Sequence, residues 1–237
     1  MPIAPRGARY WLTRGWQRRG QLLSGWVVPS GRAVPGWALA SAALAPAVLV
    51  TGWTIAGLLQ PPSYSPVRQT VSVMAGRQGT DPWVMTTTLV LLGCCYLITA
   101  AGLAGVWPAA RILLFIAGVS SIGIAASPEP AGGPTPVHLA WTVLGGIIIA
   151  VWPALAAWHS QRQSLVLSLP ARILVTMSFL GLLGWLLQET QGGAALGLAE
   201  RLDMSVQTTW PFVVALALRL SGTTQVAPAP AEYAARR

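Results

Sequence analysis

Six long apolar stretches, joined by short polar connections, constrain this chain more than any other feature of its sequence. Because an α-helix rises about 1.5 Å per residue, about 20 apolar residues cross the hydrocarbon core of a bilayer. We therefore predict an all-α fold: a polytopic membrane protein built as a bundle of six transmembrane helices. The stretches cover residues 36–59, 84–106, 112–126, 137–158, 171–187 and 204–220.

The composition agrees with lipid as the surrounding solvent. Of the 237 residues, 54% are apolar and only 9% are charged, whereas soluble domains carry about one-quarter charged residues. All 15 basic residues are arginine, a bias that fits a bacterium with a GC-rich genome. We place the chain in a bacterial plasma (inner) membrane as a multi-pass protein.

The arginines are distributed unevenly between the two sides of the predicted bundle. Short loops rich in arginine or lysine stay in the cytoplasm. Three arginines, Arg68, Arg77 and Arg201, fall on one side, and the other twelve fall on the side of the two termini. Both termini are therefore predicted to be cytoplasmic, and the long connection 60–83 to be exterior.

The segments outside the bundle are predicted to be a basic amino-terminal region, 1–35, and a disordered cytoplasmic tail, 221–237. Basic charge of this density indicates either nucleic acid or an anionic membrane surface as partner. Trp11, Trp16 and Trp26 accompany the arginines, and tryptophan favours lipid headgroups. We expect membrane lipids as partners and no nucleic acid.

The connection 60–83 is the longest and the most distinctive. Residues 67–75, after Pro66, could form a short amphipathic helix with proline in its first turn. In such a helix Val67, Val71 and Met74 would share an apolar face. Arg68 and Ser72, spaced i and i+4, would share a polar face directed towards the outer ends of the spans.

Four local sequences carry a resemblance to a known family: Tyr64, Ser65, Pro66, Val67, Arg68, Gln69, Thr70, Val71 and Ser72; Asp81, Pro82, Trp83 and Val84; His138; and Gly197, Leu198, Ala199, Glu200 and Arg201. In these segments the chain resembles the six-span bacterial and archaeal membrane proteins called domain of unknown function 998. The resemblance implies a fold of six spans and no agreed activity. Val73 departs from the family pattern, in which an acid commonly follows the serine of the loop helix.

Polar residues near the exterior span ends are the candidate site. The plainer interpretation is a set of solvated loop residues, with Arg68 pairing an acid such as Glu200 to hold the loop. The functional interpretation is that these residues bind a ligand, with the loop helix as a lid and His138 able to transfer protons. The candidate ligand-binding residues are Tyr64, Arg68, Ser72, Asp81, Glu200 and Arg201, and the candidate catalytic residues are His138 and Glu129.

Metal and cofactor sites are not predicted. The two histidines, His138 and His159, are 21 residues apart on one predicted helix, or roughly 31 Å. The adjacent Cys94 and Cys95 lie in the middle of a span. No His/Cys metal cluster follows, and a single histidine with Glu129, Asp81 or Glu200 is the weaker alternative that stays open. Glycine-rich phosphate or dinucleotide loops are absent from the sequence.

Three hypotheses about function remain. The leading one is a membrane protein that binds a lipid or small amphiphile in an outward-facing polar pocket. The alternative is a membrane-embedded lipid-modifying hydrolase or transferase with His138 as acid/base, assisted by Glu129 or Glu200 and by Arg68. The third is a scaffold without ligand. Binding is favoured over catalysis.

Overall fold

The structure is a computed structural model that describes residues 34–156 and 165–223. These ranges contain seven α-helices, one 3-10 helix and no strand, which confirms the all-α prediction. Most of the basic amino-terminal segment, His159 and the tail after residue 223 lie outside the described residues. The helices are α1 (Gly36–Leu58), α2 (Val71–Ala75), α3 (Pro82–Gly102), α4 (Pro108–Ala126), α5 (Pro136–Leu155), α6 (Leu169–Glu189) and α7 (Leu196–Thr223), with the 3-10 helix at Leu165–Leu167.

Five helices, α1, α3, α4, α5 and α6, are long and apolar enough to cross a membrane. Large apolar side chains remain exposed around them, among them Ile55, Leu91, Phe115, Ile147 and Leu174. An extensive apolar surface is stable where lipid, and not water, surrounds the helices. The chain is therefore a helical membrane protein, as predicted.

The sixth predicted span lies within α7, which is not one of these five. α7 has 28 residues and buries four polar side chains, Glu200, Asp203, Gln207 and Thr208. Their spacing puts them on one side of the helix. α7 is therefore less apolar than the other long helices because its first half buries these polar side chains, whereas its second half buries Val214, Ala215 and Leu218.

Prolines begin several of the helices. Pro82, Pro108 and Pro136 each occupy the first helical position, and Pro170 lies in the first turn of α6. Proline suits this position because the first N–H groups of a helix have no internal partner and the proline φ angle is already helical. As a result α4 begins four residues before the apolar stretch that predicted it.

The long helices form a closed ring. Each packs against the next along the chain, α1 on α3, then α4, α5, α6 and α7, and α7 returns to pack against α1. α3 and α4 approach closely at two glycines, since a Cβ atom on Gly93 would lie 2.6 Å from the carbonyl oxygen of Gly118. Small residues at such crossings let helix backbones meet in lipid.

Arginines at one end of the ring bind the ends of neighbouring helices. Arg111 donates to the carbonyls of Ala100 and Ala101 at 3.0 and 3.1 Å, and Arg172 donates to the carbonyl of Ala154 at 2.9 Å. Terminal carbonyls lack helical partners, so these cations satisfy them. Connections 59–81, 127–135 and 190–195 lie at the opposite end, which we call the loop end.

Candidate functional site

The connections at the loop end are joined by backbone hydrogen bonds. The Arg77 N–H donates to the carbonyl of Glu129 at 2.9 Å, which ties the long connection to the one between α4 and α5. The Leu198 N–H donates to the carbonyl of Val67 at 3.0 Å, which ties it to the start of α7. The long connection is therefore anchored on both sides.

Arg201 fastens the long connection to α7. Its Nη1 atom donates to the carbonyls of Pro66 and Gln69 at 2.7 and 2.9 Å, and to Gly197 of its own helix at 2.9 Å. Its Nη2 atom donates to the hydroxyl of Tyr64 at 2.5 Å. Burial raises the pKa of Tyr64, although the nearby guanidinium opposes this rise. Arg201 thus joins α7 to the long connection through both of its Nη atoms.

Gly197 lets the connection approach α7. A Cβ atom at this position would lie 2.6 Å from the carbonyl oxygen of Pro66 and would also collide with the backbone of Gln69. Only glycine fits such a contact without displacing the connection. Gly197 and Arg201 are one helical turn apart and face the same segment.

Glu200 binds the same connection from inside the bundle. Its Oε2 atom accepts a hydrogen bond from the N–H of Val71, the first residue of α2, at 2.5 Å. The side chain is buried and lies before the apolar part of α7, outside the five candidate spans. Burial raises the pKa of Glu200 to about 7.

His138 is held by a backbone carbonyl. Its Nδ1 atom lies 2.7 Å from the carbonyl oxygen of Ser127. Because a carbonyl only accepts, Nδ1 carries the proton, and in the neutral ring Nε2 is an acceptor. Nε2 lies 3.3 Å from Oγ of Ser72, so the serine hydroxyl donates to the histidine. The ring itself is only 3% exposed.

The loop helix is shorter than predicted. α2 begins at Val71, not at Val67, and Thr70 before it is extended. Arg68 and Ser72 therefore do not share a helix face: Arg68 is exposed, while Ser72 is partly buried and faces His138. Val67, Val71 and Met74 do not share one environment either, because Val71 and Met74 are buried whereas Val67 is 45% exposed.

The other predicted site residues are not joined to this network by their side chains. The Arg68 guanidinium has no hydrogen-bond or ion-pair partner among the described residues, so the expected pairing with Glu200 is not found there. Asp81 has a left-handed backbone, with φ of 49°, and accepts from the indole of Trp83 at 3.3 Å. Glu129 contributes its carbonyl to Arg77 and adds to the raised pKa of Glu200.

Some groups at the loop end were not anticipated from the sequence. The carbonyl of Ser127 and the N–H of Val71 are backbone atoms, which carry no residue-type signal. Thr135 is different, because its Oγ1 accepts from the His138 N–H at 3.2 Å and caps α5. A threonine directly before a proline at the start of an apolar run is a recognisable helix start.

A metal site is not formed by the part of the chain that the structure describes. Within 34–156 and 165–223, no group of three or more His, Cys, Asp or Glu side chains could hold an ion. The chemistry available at the loop end is therefore that of hydroxyls, an imidazole, a buried carboxyl and guanidinium groups.

Comparison with known proteins gives one match. The sequence matches the family described as "Protein of unknown function (DUF998)" over residues 43–217, which is well over half of the chain. No curated protein and no solved structure matches it. The segments that carried the resemblance, 64–72 and 197–201, contact each other through Arg201, Glu200 and Gly197. The chain therefore belongs to the DUF998 family.

Proposed function

We propose that the chain is a six-span protein of a bacterial plasma membrane, with both termini in the cytoplasm and the loop end outside. We further propose that it binds the anionic head of a lipid or small amphiphile at the loop end through Arg68. The observation that carries the binding proposal is an exposed guanidinium on a backbone anchored at both sides.

Two features of α7 support a sixth span. Residues 204–218 contain no charged side chain, and this part of the helix covers roughly 22 Å. α7 also packs against α1 and α6, both of which are apolar enough to cross a membrane. A helix that closes the ring belongs to the same membrane as its neighbours, with its polar face turned into the bundle.

The arginine distribution supports the orientation, because twelve of the 15 arginines belong to the side of the termini. The test labels single cysteines with a membrane-impermeant maleimide in intact cells, after Cys94 and Cys95 are replaced by alanine. Gln78→Cys, at an exposed position of the loop end, should be labelled directly. The matched Ala104→Cys, exposed at the opposite end, should be labelled only after permeabilisation; the reverse pattern contradicts the orientation.

The backbone of Arg68 is held in place by hydrogen bonds, whereas its side chain is left available for a ligand. Its N–H donates to the carbonyl of Ser65 at 3.1 Å, and the preceding residue, Val67, binds Leu198. Its guanidinium has no partner within the described ranges, and an exposed apolar side chain, Val67, lies beside it. The planar fork of guanidinium donors matches phosphate or carboxylate oxygens, and the neighbouring apolar surface matches an acyl chain.

Arg201 is a weaker candidate for the ligand than Arg68. Both of its Nη atoms already donate to the long connection or to its own helix. Removing it would release the connection, so a loss of binding in an Arg201 variant would not identify a ligand contact. The binding test is therefore made at Arg68.

The test measures lipid retained by the purified protein in native mass spectra. Phosphatidylglycerol, phosphatidylcholine and inorganic phosphate are offered separately, which distinguishes an anionic lipid from any lipid and from free phosphate. We expect the unaltered protein to retain phosphatidylglycerol. Arg68→Gln should reduce the retained amount about ten-fold, because one or two charged hydrogen bonds are lost. Arg77→Gln, which removes an exposed arginine of the same connection, is the control. Equal retention by Arg68→Gln contradicts the proposal.

A further inference from the structure

We propose that Ser72 and His138 form a nucleophile–base pair that cleaves or transfers the acyl group of an amphiphilic ester at the loop end. This inference goes beyond lipid binding and does not depend on Arg68. It rests on the geometry of two side chains that are 66 residues apart in the sequence and come from different helices.

The histidine is oriented as a base. Its Nδ1–H is fixed by the carbonyl of Ser127 at 2.7 Å, so the lone pair of Nε2 points at Oγ of Ser72 at 3.3 Å. The Thr135 cap holds the backbone of His138 at the start of α5. Nucleophile, base and a third group that orients the base are the parts that activate a serine. Here the third group is a carbonyl and not a carboxylate.

The Ser72 hydroxyl is bonded differently from those of seven other serine and threonine residues of the helices. A helical Ser or Thr hydroxyl often donates to the carbonyl four residues earlier. Ser72 is the second residue of the five-residue α2, so residue 68, four positions earlier, lies outside its helix. Its hydroxyl donates to an imidazole instead. The residues that follow the usual pattern are Thr54, Thr88, Thr142, Ser178, Ser205, Thr209 and Ser221.

His138 and Ser72 differ in burial, and this difference suits one to act as the base and the other as the nucleophile. His138 is 3% exposed, which keeps its ring from turning and shields it from competing water. Ser72 is only partly buried, which leaves part of the residue accessible at the surface. α2 is held against the bundle by Glu200, through the N–H of the residue directly before Ser72.

The reaction balances without a redox partner. Oγ of Ser72 forms a bond to the acyl carbon while its proton passes to Nε2 of His138, and the carbonyl oxygen takes the negative charge. When the tetrahedral intermediate collapses, the ester C–O bond breaks and the alcohol leaves with the proton from His138. Water, or an acceptor alcohol, then attacks the acyl-serine by the same path and restores both side chains.

The test uses a fluorophosphonate probe, which phosphonylates activated serines, on the full-length protein in membranes. The adduct is located by peptide mass spectrometry. We expect an adduct on Ser72 of the unaltered protein and no adduct after heat denaturation. In His138→Gln the labelling rate should be about 100-fold lower, which is the decrease expected when a general base is removed. Ser63→Ala, at an exposed serine of the same connection, should label at the normal rate.

The proposal is overturned if Ser72 of the unaltered protein carries no adduct, or if His138→Gln labels Ser72 at the normal rate. The first result needs no variant to fold, so misfolding of His138→Gln leaves the test decisive. Lipid retention by Arg68 is measured on a different variant with a different readout, so each proposal can fail without the other.

Discussion

The carboxylate of Glu200 accepts a hydrogen bond from the backbone N–H of Val71, a residue 129 positions earlier in the chain. This bond joins the start of α7 to the start of α2. Val71 is 3% exposed and Glu200 is 9% exposed, so neither group can exchange its partner for water. The bond fixes the helix that carries Ser72.

Replacing Glu200 by alanine should destabilise the protein. The substitution leaves the buried N–H of Val71 without an acceptor, which costs about 1–3 kcal/mol of unfolding free energy. We expect a lower thermal unfolding midpoint in detergent at pH 5, where the raised pKa keeps the folded-state Glu200 carboxyl protonated and its burial costs least. Asp81→Asn, which alters an exposed acid of the same connection, should leave the midpoint nearly unchanged; equal midpoints for Glu200→Ala and the unaltered protein would contradict the role of this bond.

Glu200 should also make stability depend on pH. Its pKa is raised by burial from 4.5 to about 7; the Val71 N–H and Arg201 oppose the rise, and Glu129 and Asp203 add to it. Between these values the folded state holds a proton that the unfolded state has lost. The free energy of unfolding therefore falls by on the order of 3 kcal/mol as pH rises from 4.5 to 7, and it levels off above pH 7.

The measurement for this pH effect is the unfolding midpoint of the unaltered protein and of Glu200→Gln between pH 5 and 8. Glutamine keeps an oxygen for the Val71 N–H but does not titrate. We expect a smaller difference between the two pH values in the variant. A slope that is unchanged in Glu200→Gln would assign the pH dependence to other carboxyl groups.

Lysine should not be able to replace Arg201 in holding the long connection against α7. Its two Nη atoms donate to carbonyls of the long connection and to the Tyr64 hydroxyl, and an ammonium group cannot reproduce this planar fork. In Arg201→Lys and Arg201→Ala we expect trypsin to cut after Arg68 or Arg77 several-fold faster than in the unaltered protein. Tyr64→Phe removes one bond and should give an intermediate rate.

The fold was largely predictable from the sequence because lipid imposes a simple pattern. Apolar runs long enough to cross a bilayer identified the long helices, and the prolines at positions 82, 108 and 136 would have sharpened their starts. α7 was harder, because its first half buries four polar side chains. Its membrane placement therefore remains a prediction from its length and from its neighbours in the ring.

The start of the loop helix was mispredicted for a local reason. Pro66 suggested the first turn of a helix, but Ser65 binds both the N–H of Arg68 and, through its own N–H, the side chain of Gln69. These bonds close a separate turn. Contacts with α7 then hold that turn in place, and a periodic pattern of apolar residues contains no information about such contacts.

The partners of the site residues were not predictable either. Arg68 and Arg201 have the same chemistry and lie on the same predicted side, so the sequence offered both as ligand-binding residues. The fold separates them, because Arg201 lies one turn from Gly197, where the connection can touch α7. His138 was identified as a polar residue at a span end. Its contact with Ser72 was not, because that contact depends on the short helix beginning at Val71.

Gly197 and Gly181 should respond oppositely to alanine, although both lie in helices. A Cβ atom at 197 would lie 2.6 Å from the carbonyl oxygen of Pro66, so Gly197→Ala must push the long connection away from α7. At 181 a Cβ atom would meet nothing within 4 Å, and alanine stabilises a helix by up to about 1 kcal/mol relative to glycine. We expect Gly197→Ala to lower the unfolding midpoint and to speed tryptic cleavage after Arg68, and Gly181→Ala to do neither. If both variants behave alike, the close contact between the connection and α7 does not exist in the membrane.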